Sequence, residues 1–394
     1  HKEGLAPDEN PILALSPGQV YYDDYNVPAS NGKSFANYQQ YTPRYTGAAS
    51  YTGSFYTAGH NTAVPTPIDL LDQLLKRVTL KRDEDAIYLF DGVCYNRLND
   101  NAVNTMISEV LSDKLRISGA AYQLSNVYTL LKADGRISDT PVDQAEFSDI
   151  AVGNGWLNRD ELRLHPADPG RFITSKINVH WNPFSGCPLF EKFLSTCANG
   201  DPILISRMWE FVAFSLIPNR VKRIALIQGV GDSGKTLITS LLASFFDKKL
   251  VSYRDANCLS DRFYLFDLVD KRLNISADLP AGALSSKVVA ILKQISGNDE
   301  VTVEEKYHTP RKITLGTKLI LVSNHFLSMQ HYDSYFASRI LLLPFMNAIP
   351  KWQQDYRLLA KLKAEREGIL AKAVHVFKQL IALYRAFKFL ARNE

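Results

Sequence analysis

The chain has 394 residues, 46% hydrophobic and 22% charged, with a formal net charge of +4. These figures suit a globular protein of two or three domains and exclude a collagen-like repeat, a disulfide scaffold and a charge-driven disordered chain. A sequence pI near 8.7 permits a nucleic-acid partner without requiring one, because local clusters matter more than net charge.

Cys94, Cys187, Cys197 and Cys258 form no CxxC pair and no zinc spacing, and they read as reduced thiols of a cytosolic protein. The sequence shows no apolar run of about 18 residues or more and no signal peptide, so no membrane span is expected. It opens on His1 rather than Met, which suggests a fragment or a processed chain.

Residues 1–66 are rich in Tyr, Ser, Gly, Thr, Asn and Pro, with Tyr21, Tyr22, Tyr25 and Tyr38 among small polar neighbours. No helix or strand period runs through them, and the composition is that of an arm or linker. Its tyrosines could stack on single-stranded bases, but an ordered linker packed on its own or a neighbouring subunit is the simpler expectation. From Pro67 the pattern changes. Ile68, Leu71, Leu74 and Leu75 mark an amphipathic helix, and Ala86–Tyr95 reads as a hairpin turning at Asp91-Gly92. Helical spacing returns over 100–115 and 122–131, and strands are expected near 154–160 and over 172–179. Residues 67–183 are thus expected to form a small mixed α/β domain. Helices starting at Cys187 and Pro202 predict a helical collar over 184–219.

Residues 220–350 alternate apolar strands with helices, the pattern of a parallel sheet flanked by helices. The first strand, Ile224–Ile227, runs into Gly229-Val230-Gly231-Asp232-Ser233-Gly234-Lys235-Thr236, and Leu237, Ile238, Leu241 and Leu242 then recur at helical spacing. Strand, glycine loop and helix is the context a phosphate-binding loop needs. Glycines let successive N–H groups turn inward on an anion. The helix directs its positive end there as well. Lys235 would reach the β- and γ-phosphates of ATP, and Thr236 would bind Mg²⁺. A chance match is expected in roughly one of a hundred chains of this length.

Asp278 ends a short strand after Lys271-Arg272 and is the candidate acid for Mg²⁺ and water; Asp267 and Asp270 are weaker ones. A helix carrying Lys293 follows, then a hairpin with Val301 and Val303 on one face and Lys306, His308, Arg311 and Lys312 at its tip. The basic tip is either a DNA contact or a solvated turn. Asn324, at the mouth of the strand over 317–323, can orient an attacking water, or is a turn residue. Arg339, before the strand over 340–343, can enter a neighbour's site as an arginine finger, or merely flanks its own strand. Residues 351–394 read as a basic helical segment with Leu358, Leu362, Ile369 and Leu370 as its apolar positions.

Taken in order, Trp181-Asn-Pro183, Cys187-Pro-Leu-Phe190, Gly229–Thr236, Ile275–Pro280, Ile291–Asp299, Lys318–Asn324 and Ser338–Phe345 resemble the superfamily 3 helicases of phages and plasmids, in the branch named after the poxvirus D5 and phage P4 primase-helicases. The resemblance covers about 150–370 and, loosely, 67–150. It implies an AAA+-like P-loop core in a hexameric ring around DNA, moving 3′→5′ at the expense of ATP, in the cytoplasm. It also implies an upstream primase or polymerase domain in a longer chain. It assigns Lys235 and Thr236 to phosphate and Mg²⁺, Asp278 to the Walker B acid, Asn324 to sensor 1 and Arg339 to the finger. Lys306 to Lys312 fall where the family has its DNA-tracking hairpin. Two features depart from the pattern: a single acid ends the Ile275 strand, and no Pro lies between Asn324 and Arg339. A DNA-packaging or loading ATPase and an ATP-switched replication scaffold are the alternative functions.

Overall fold

The computed structural model describes residues 65–83, 86–111, 120–137, 148–279, 283–305, 309–325, 328–329 and 333–390. Nearly all of the tyrosine-rich arm, together with Lys306 and His308 of the hairpin tip, lies outside these residues.

Helix α1 (Pro67–Arg77) begins with a reciprocal cap: the Thr66 hydroxyl accepts from the Asp69 N–H (3.2 Å) and the Asp69 carboxylate accepts from the Thr66 N–H (3.0 Å). Its buried face is Leu70, Leu71 and Leu74, while Ile68, in the first turn, is 61% exposed. Strands β1 (Leu80–Asp83), β2 (Ala86–Phe90) and β3 (Tyr95–Leu98) form an antiparallel sheet. The β2–β3 turn is held by the Asp91 carboxylate, which accepts from the N–H groups of Val93 (2.9 Å) and Cys94 (2.8 Å). Helices α2 (Asp100–Val110) and α3 (Ala120–Ala133) complete a core of Leu70, Leu74, Ile107, Val127 and Leu131.

A second sheet has the order β6-β5-β4-β7, from β4 (Asp149–Val152), β5 (Gly155–Asn158), β6 (Arg163–His165) and β7 (Lys176–Ile177). The strand expected over 172–179 is thus reduced to two paired residues. The backbone around it serves other partners: Ile173 O accepts from Tyr95 N–H (2.7 Å), and Asn178 N–H donates to Phe245 O (2.6 Å). Phe172 meets the rings of Tyr88 and Tyr95 edge-on, at 4.9 and 5.1 Å.

Then come α4 (Pro188–Cys197), α5 (Pro202–Leu216), β8 (Ile224–Gly229), α6 (Lys235–Ala243), β9 (Val251–Ser252), α7 (Arg262–Phe266) and β10 (Leu273–Leu279). They are followed by β11 (Ala283–Leu284), α8 (Ser286–Gly297), β12 (Glu300–Val303), β13 (Arg311–Thr314), β14 (Lys318–Ser323), β15 (Ser328–Met329) and α9 (Ser334–Arg339). Strand β16 (Ile340–Phe345) and helices α10 (Leu358–Ala364) and α11 (Arg366–Leu390) close the chain.

Five of the strands form one parallel sheet, in the order β16-β8-β14-β10-β9. Its central strands are apolar on both faces, as a sheet covered on both sides must be. Ala225, Ile227, Ile275, Ile320 and Val322 face a core shared with α4, α5 and α11. Ile224, Leu226, Leu319 and Leu321 face one shared with α8 and β12. The first core also takes in Ile150, Val152 and Leu157 of the second sheet. The helices expected as a collar therefore lie directly on the parallel sheet, in one apolar core with residues on both sides of position 183. Among the described residues no helix is long and apolar enough to cross a membrane.

Candidate functional site

At the carboxyl edge of the parallel sheet, Leu279, Ser323, Gln228 and Pro344 form one row across β10, β14, β8 and β16. Ligands of open parallel sheets bind outside this edge, and the glycine loop leaves β8 here. Gly229 is required by contact: a Cβ at this position would lie 1.9 Å from the Phe345 carbonyl oxygen of β16. That oxygen accepts the Val230 N–H at 3.2 Å. Asp232 and Gly234 have positive φ, +54° and +94°, and Gly234 is the N-cap of α6. A Cβ on Gly234 would come within 3.0 Å of both Phe193 Cε2 and Cys197 Sγ of α4. Gly231 has open space where a side chain would be. Burial pushes the Cys197 thiol up to about 12, so it stays neutral, and it donates to Ser233 O at 3.4 Å.

The loop is therefore braced by β16, by α4 and, through Ile349 N–H to Asp232 O (2.9 Å), by the segment after β16. Lys235 is only 7% exposed and lies over the loop. Its ammonium donates to Gly229 O (3.0 Å) and Val230 O and reaches Ser233 Oγ (3.4 Å). The Ser233 hydroxyl donates to Val230 O (2.7 Å). Thr236 is exposed on the first turn of α6.

Asp278 is the penultimate residue of β10, two strands from β8, which is about 10 Å across the sheet. The β10–β14 register shifts between Ser276 and Leu279, a bulge that re-aims the strand end at this edge. Asn324 follows Ser323 directly and is exposed. The topology thus brings the glycine loop, the backbone of Asp278 and Asn324 to one edge.

The other predicted residues lie elsewhere. Arg339 precedes Ile340, which pairs with Ile224 at the start of β8. That places it about five strand residues, or roughly 17 Å, from the loop of its own chain. Its guanidinium donates to Lys293 O and to Ser296 Oγ (3.1 Å) of α8. Asp267 and Asp270 precede β10 and are engaged, Asp267 with Arg254 (2.7 Å) and Asp270 with Arg97 (3.1 Å). In the hairpin, Val303 pairs with Arg311, Val301 and Val303 are buried, Arg311 is half-buried and Lys312 is exposed. Arg311 also lines a cleft of about 1450 Å³ shared with Arg97, Lys249, Tyr253, Arg254 and Lys271. Ion pairs to Asp270 and Asp267 occupy two of those cations, and Lys249 donates to Asn96 Oδ1 (2.6 Å). The cleft reads as a stitched junction between β3 and the β9–β10 edge. Sequence reasoning missed the loop's braces, Phe193, Cys197, Phe345 and Ile349. Only the glycines they press against carried a signal of them.

Residues 70–198 match the family described as D5 N terminal like, and residues 227–339 match a family of unknown function, DUF5906. No curated protein matches the chain. Among solved structures, the A form apo structure of the NrS-1 C terminal region is similar with a TM-score of 0.54 at 14% identity, over 79% of this chain and 69% of that one. The apo structure of NrS-1 C terminal region 305–718 is similar with a TM-score of 0.55 at 15% identity, over 78% of this chain and 68% of that one. The chain thus carries a D5 N-terminal-like region ahead of a parallel α/β unit, in a fold shared with the NrS-1 C terminal region.

Proposed function

We propose that the protein is an ATP-driven DNA helicase of the superfamily 3 type, with an AAA+-like P-loop core, that unwinds duplex DNA during phage or plasmid replication as a hexameric ring. The observation that carries this reading is the braced glycine loop at the carboxyl edge of the parallel sheet, with Lys235 folded over it. The loop fits a phosphate. Gly229 and Gly234 hold a backbone shape that a Cβ would block, Gly231 leaves room above it, and the N-terminus of α6 faces the same space.

In this reading the loop N–H groups and Lys235 hold the β- and γ-phosphates of ATP. A phosphate oxygen is a better acceptor for the Lys235 ammonium than the neutral carbonyls that now receive it. Thr236 and Asp278 would hold Mg²⁺, which neutralises charge on the transferred phosphate. Asn324 orients the attacking water. Catalysis here is positioning and electrostatics rather than covalent chemistry. Arg339, at the far edge of its own sheet, serves only a neighbouring chain, and the Lys306–Lys312 hairpin tracks DNA. The D5 N-terminal-like match agrees with a replication role, and the NrS-1 structures agree with the fold.

The test pairs ATP hydrolysis with strand displacement on a forked duplex. Lys235→Ala removes the cation on the transferred phosphate and is expected to lower turnover by about 10²–10³-fold while the thermal unfolding transition is kept. An ATPase rate within twofold of the parent would sink the phosphate-site assignment. A parent chain that hydrolyses ATP but displaces no strand points instead to a loading or packaging ATPase.

A further inference from the structure

Between β16 and α10 the chain runs beside the glycine loop. Phe345 O accepts from Val230 N–H, the Asn347 amide donates to Thr196 O (2.7 Å), and Ile349 N–H donates to Asp232 O (2.9 Å). A single 3₁₀ turn follows, Lys351–Gln353, tied back by the Gln354 amide to Ile349 O (2.9 Å). The Asp355 carboxylate then accepts from the Arg357 N–H (2.9 Å) and pairs with Lys361 (2.6 Å) at the start of α10. Helix α10 packs on α6, the helix that leaves the loop. The connection is therefore fixed at one end to the loop and at the other to the loop's helix.

The large side chains of this fixed segment are nevertheless left in solvent. Trp352 is 82% exposed, Tyr356 89% and Met346 57%. Trp156, Trp181 and Trp209, the other tryptophans of the chain, are at most 6% exposed. An indole normally hides its rings, and a tryptophan left in solvent on a backbone fixed at both ends marks a contact surface. Trp352 lies three residues beyond Ile349, a span of at most about 10 Å, so the ring is within reach of anything that extends sideways from an anion on the loop.

We propose that Trp352 stacks on the base of a nucleoside triphosphate whose phosphates lie on the glycine loop. The inference rests on the nucleotide reading above and adds to it the part of the ligand that the loop does not touch. Stacking uses the face of a base and not its hydrogen-bonding edge. The subsite thus separates nucleotides from inorganic polyphosphate while discriminating weakly between adenine and guanine.

The experiment uses the full chain, titrated with ATP and separately with inorganic tripolyphosphate, followed by calorimetry and by tryptophan emission. Trp352 is the tryptophan that solvent and ligand reach, so ATP is expected to change the emission and tripolyphosphate to leave it unchanged. Trp352→Ala is expected to weaken ATP and GTP about tenfold or more and to leave tripolyphosphate affinity as in the parent. Trp352→Phe restores most of the loss. Equal ATP affinity in Trp352→Ala and parent overturns the base subsite and leaves the phosphate site standing. Equal weakening of ATP and tripolyphosphate also overturns it, because the tryptophan then supports the loop and not a base. A parent chain that binds neither ligand overturns the nucleotide reading, and the subsite with it.

Discussion

The two ends of the five-stranded sheet are built on opposite principles. At the amino edge each of four strands is entered through a cation: Arg223 before β8, Arg272 before β10, Lys318 opening β14 and Arg339 before β16. Arg223, Arg272 and Lys318 are buried. The cations are spent on the protein itself: Arg223 donates to Ser338 O, Lys318 to Asn219 O (2.7 Å) and Arg339 to Lys293 O. Lys318 also lies 5.0 Å from the Phe214 ring centroid. Burial holds the Arg272 guanidinium down to about 10, still charged at neutral pH. At the carboxyl edge the order reverses. Val230, Thr236 and Asn324 are exposed, and Lys235 is the buried cation, held by carbonyls of the glycine loop. The amino edge closes the sheet and the carboxyl edge leaves it open, and in the proposed reading a charge at the amino edge reaches a phosphate site only in a neighbouring molecule.

Arg339 tests that division with the largest expected effect. If it works in a neighbouring chain, Arg339→Ala loses about 10³–10⁵ in ATP turnover, the usual cost of a missing arginine finger. Lys235→Ala is inactive as well. Mixed from dissociated protein, the two variants form some interfaces in which an intact loop meets an intact Arg339, and part of the activity returns. If Arg339 only ties α9 to α8 through Lys293 O and Ser296, each defect stays within its own chain. No recovery in assemblies shown to contain both variants rules out the composite site.

The hairpin gives a middle-sized test. Strand β13 leads into the amino end of β14, so the hairpin and the glycine loop join opposite ends of one sheet. Replacing Lys306, Arg311 and Lys312 with Ala should weaken DNA binding by roughly ten- to a hundredfold. It should also shallow the slope of log K against log salt by about 2 to 3, because fewer counterions are released. ATP hydrolysis without DNA should stay near the parent rate. An unchanged salt slope reduces these residues to a solvated turn.

Much of this was legible locally. Glycine spacing announced the loop, continuous apolar runs announced β8 and β14, and Pro202 announced the start of α5, where the structure adds the Asp201 carboxylate as a cap on Ile203 N–H at 2.9 Å. What was not legible depends on distant partners. The need for Gly229 comes from Phe345, and the support of Asp232 comes from Ile349, each more than 100 residues away. β7, β9, β11 and β15 are two residues long, too short for any period to show. The structural role of Arg223, Arg272 and Lys318 escaped notice because a lone Arg or Lys before a strand looks like a solvated charge, and only burial reveals it as structural. The exposure of Trp352 is equally invisible in a composition that treats all tryptophans alike.

Glu210 gives the smallest and most local test of how the amino edge is held. It lies on α5, and burial raises its carboxyl above the usual range, outweighing the attraction of the Arg207 and Arg223 charges. Arg223, for its part, gives one N–H to Ser338 O, while its Nη2 is buried without a partner. If carbonyls rather than this carboxylate hold the edge, the charged form of Glu210 is a net cost to the folded state. The folded pKa is raised, so the folded protein retains the proton longer than the unfolded chain. Stability therefore falls as pH rises from the unfolded value, about 4.3, through the folded value. Glu210→Gln removes that cost. Denaturant unfolding should show the variant equal to the parent below about pH 4 and more stable at pH 7, by less than about 1 kcal/mol. A variant that loses about 3–5 kcal/mol at pH 7 would show the opposite, that Glu210 and Arg223 form a buried ion pair. The amino edge would then be pinned in part by paired charges, and its contrast with the carboxyl edge would rest on Arg272, Lys318 and Arg339.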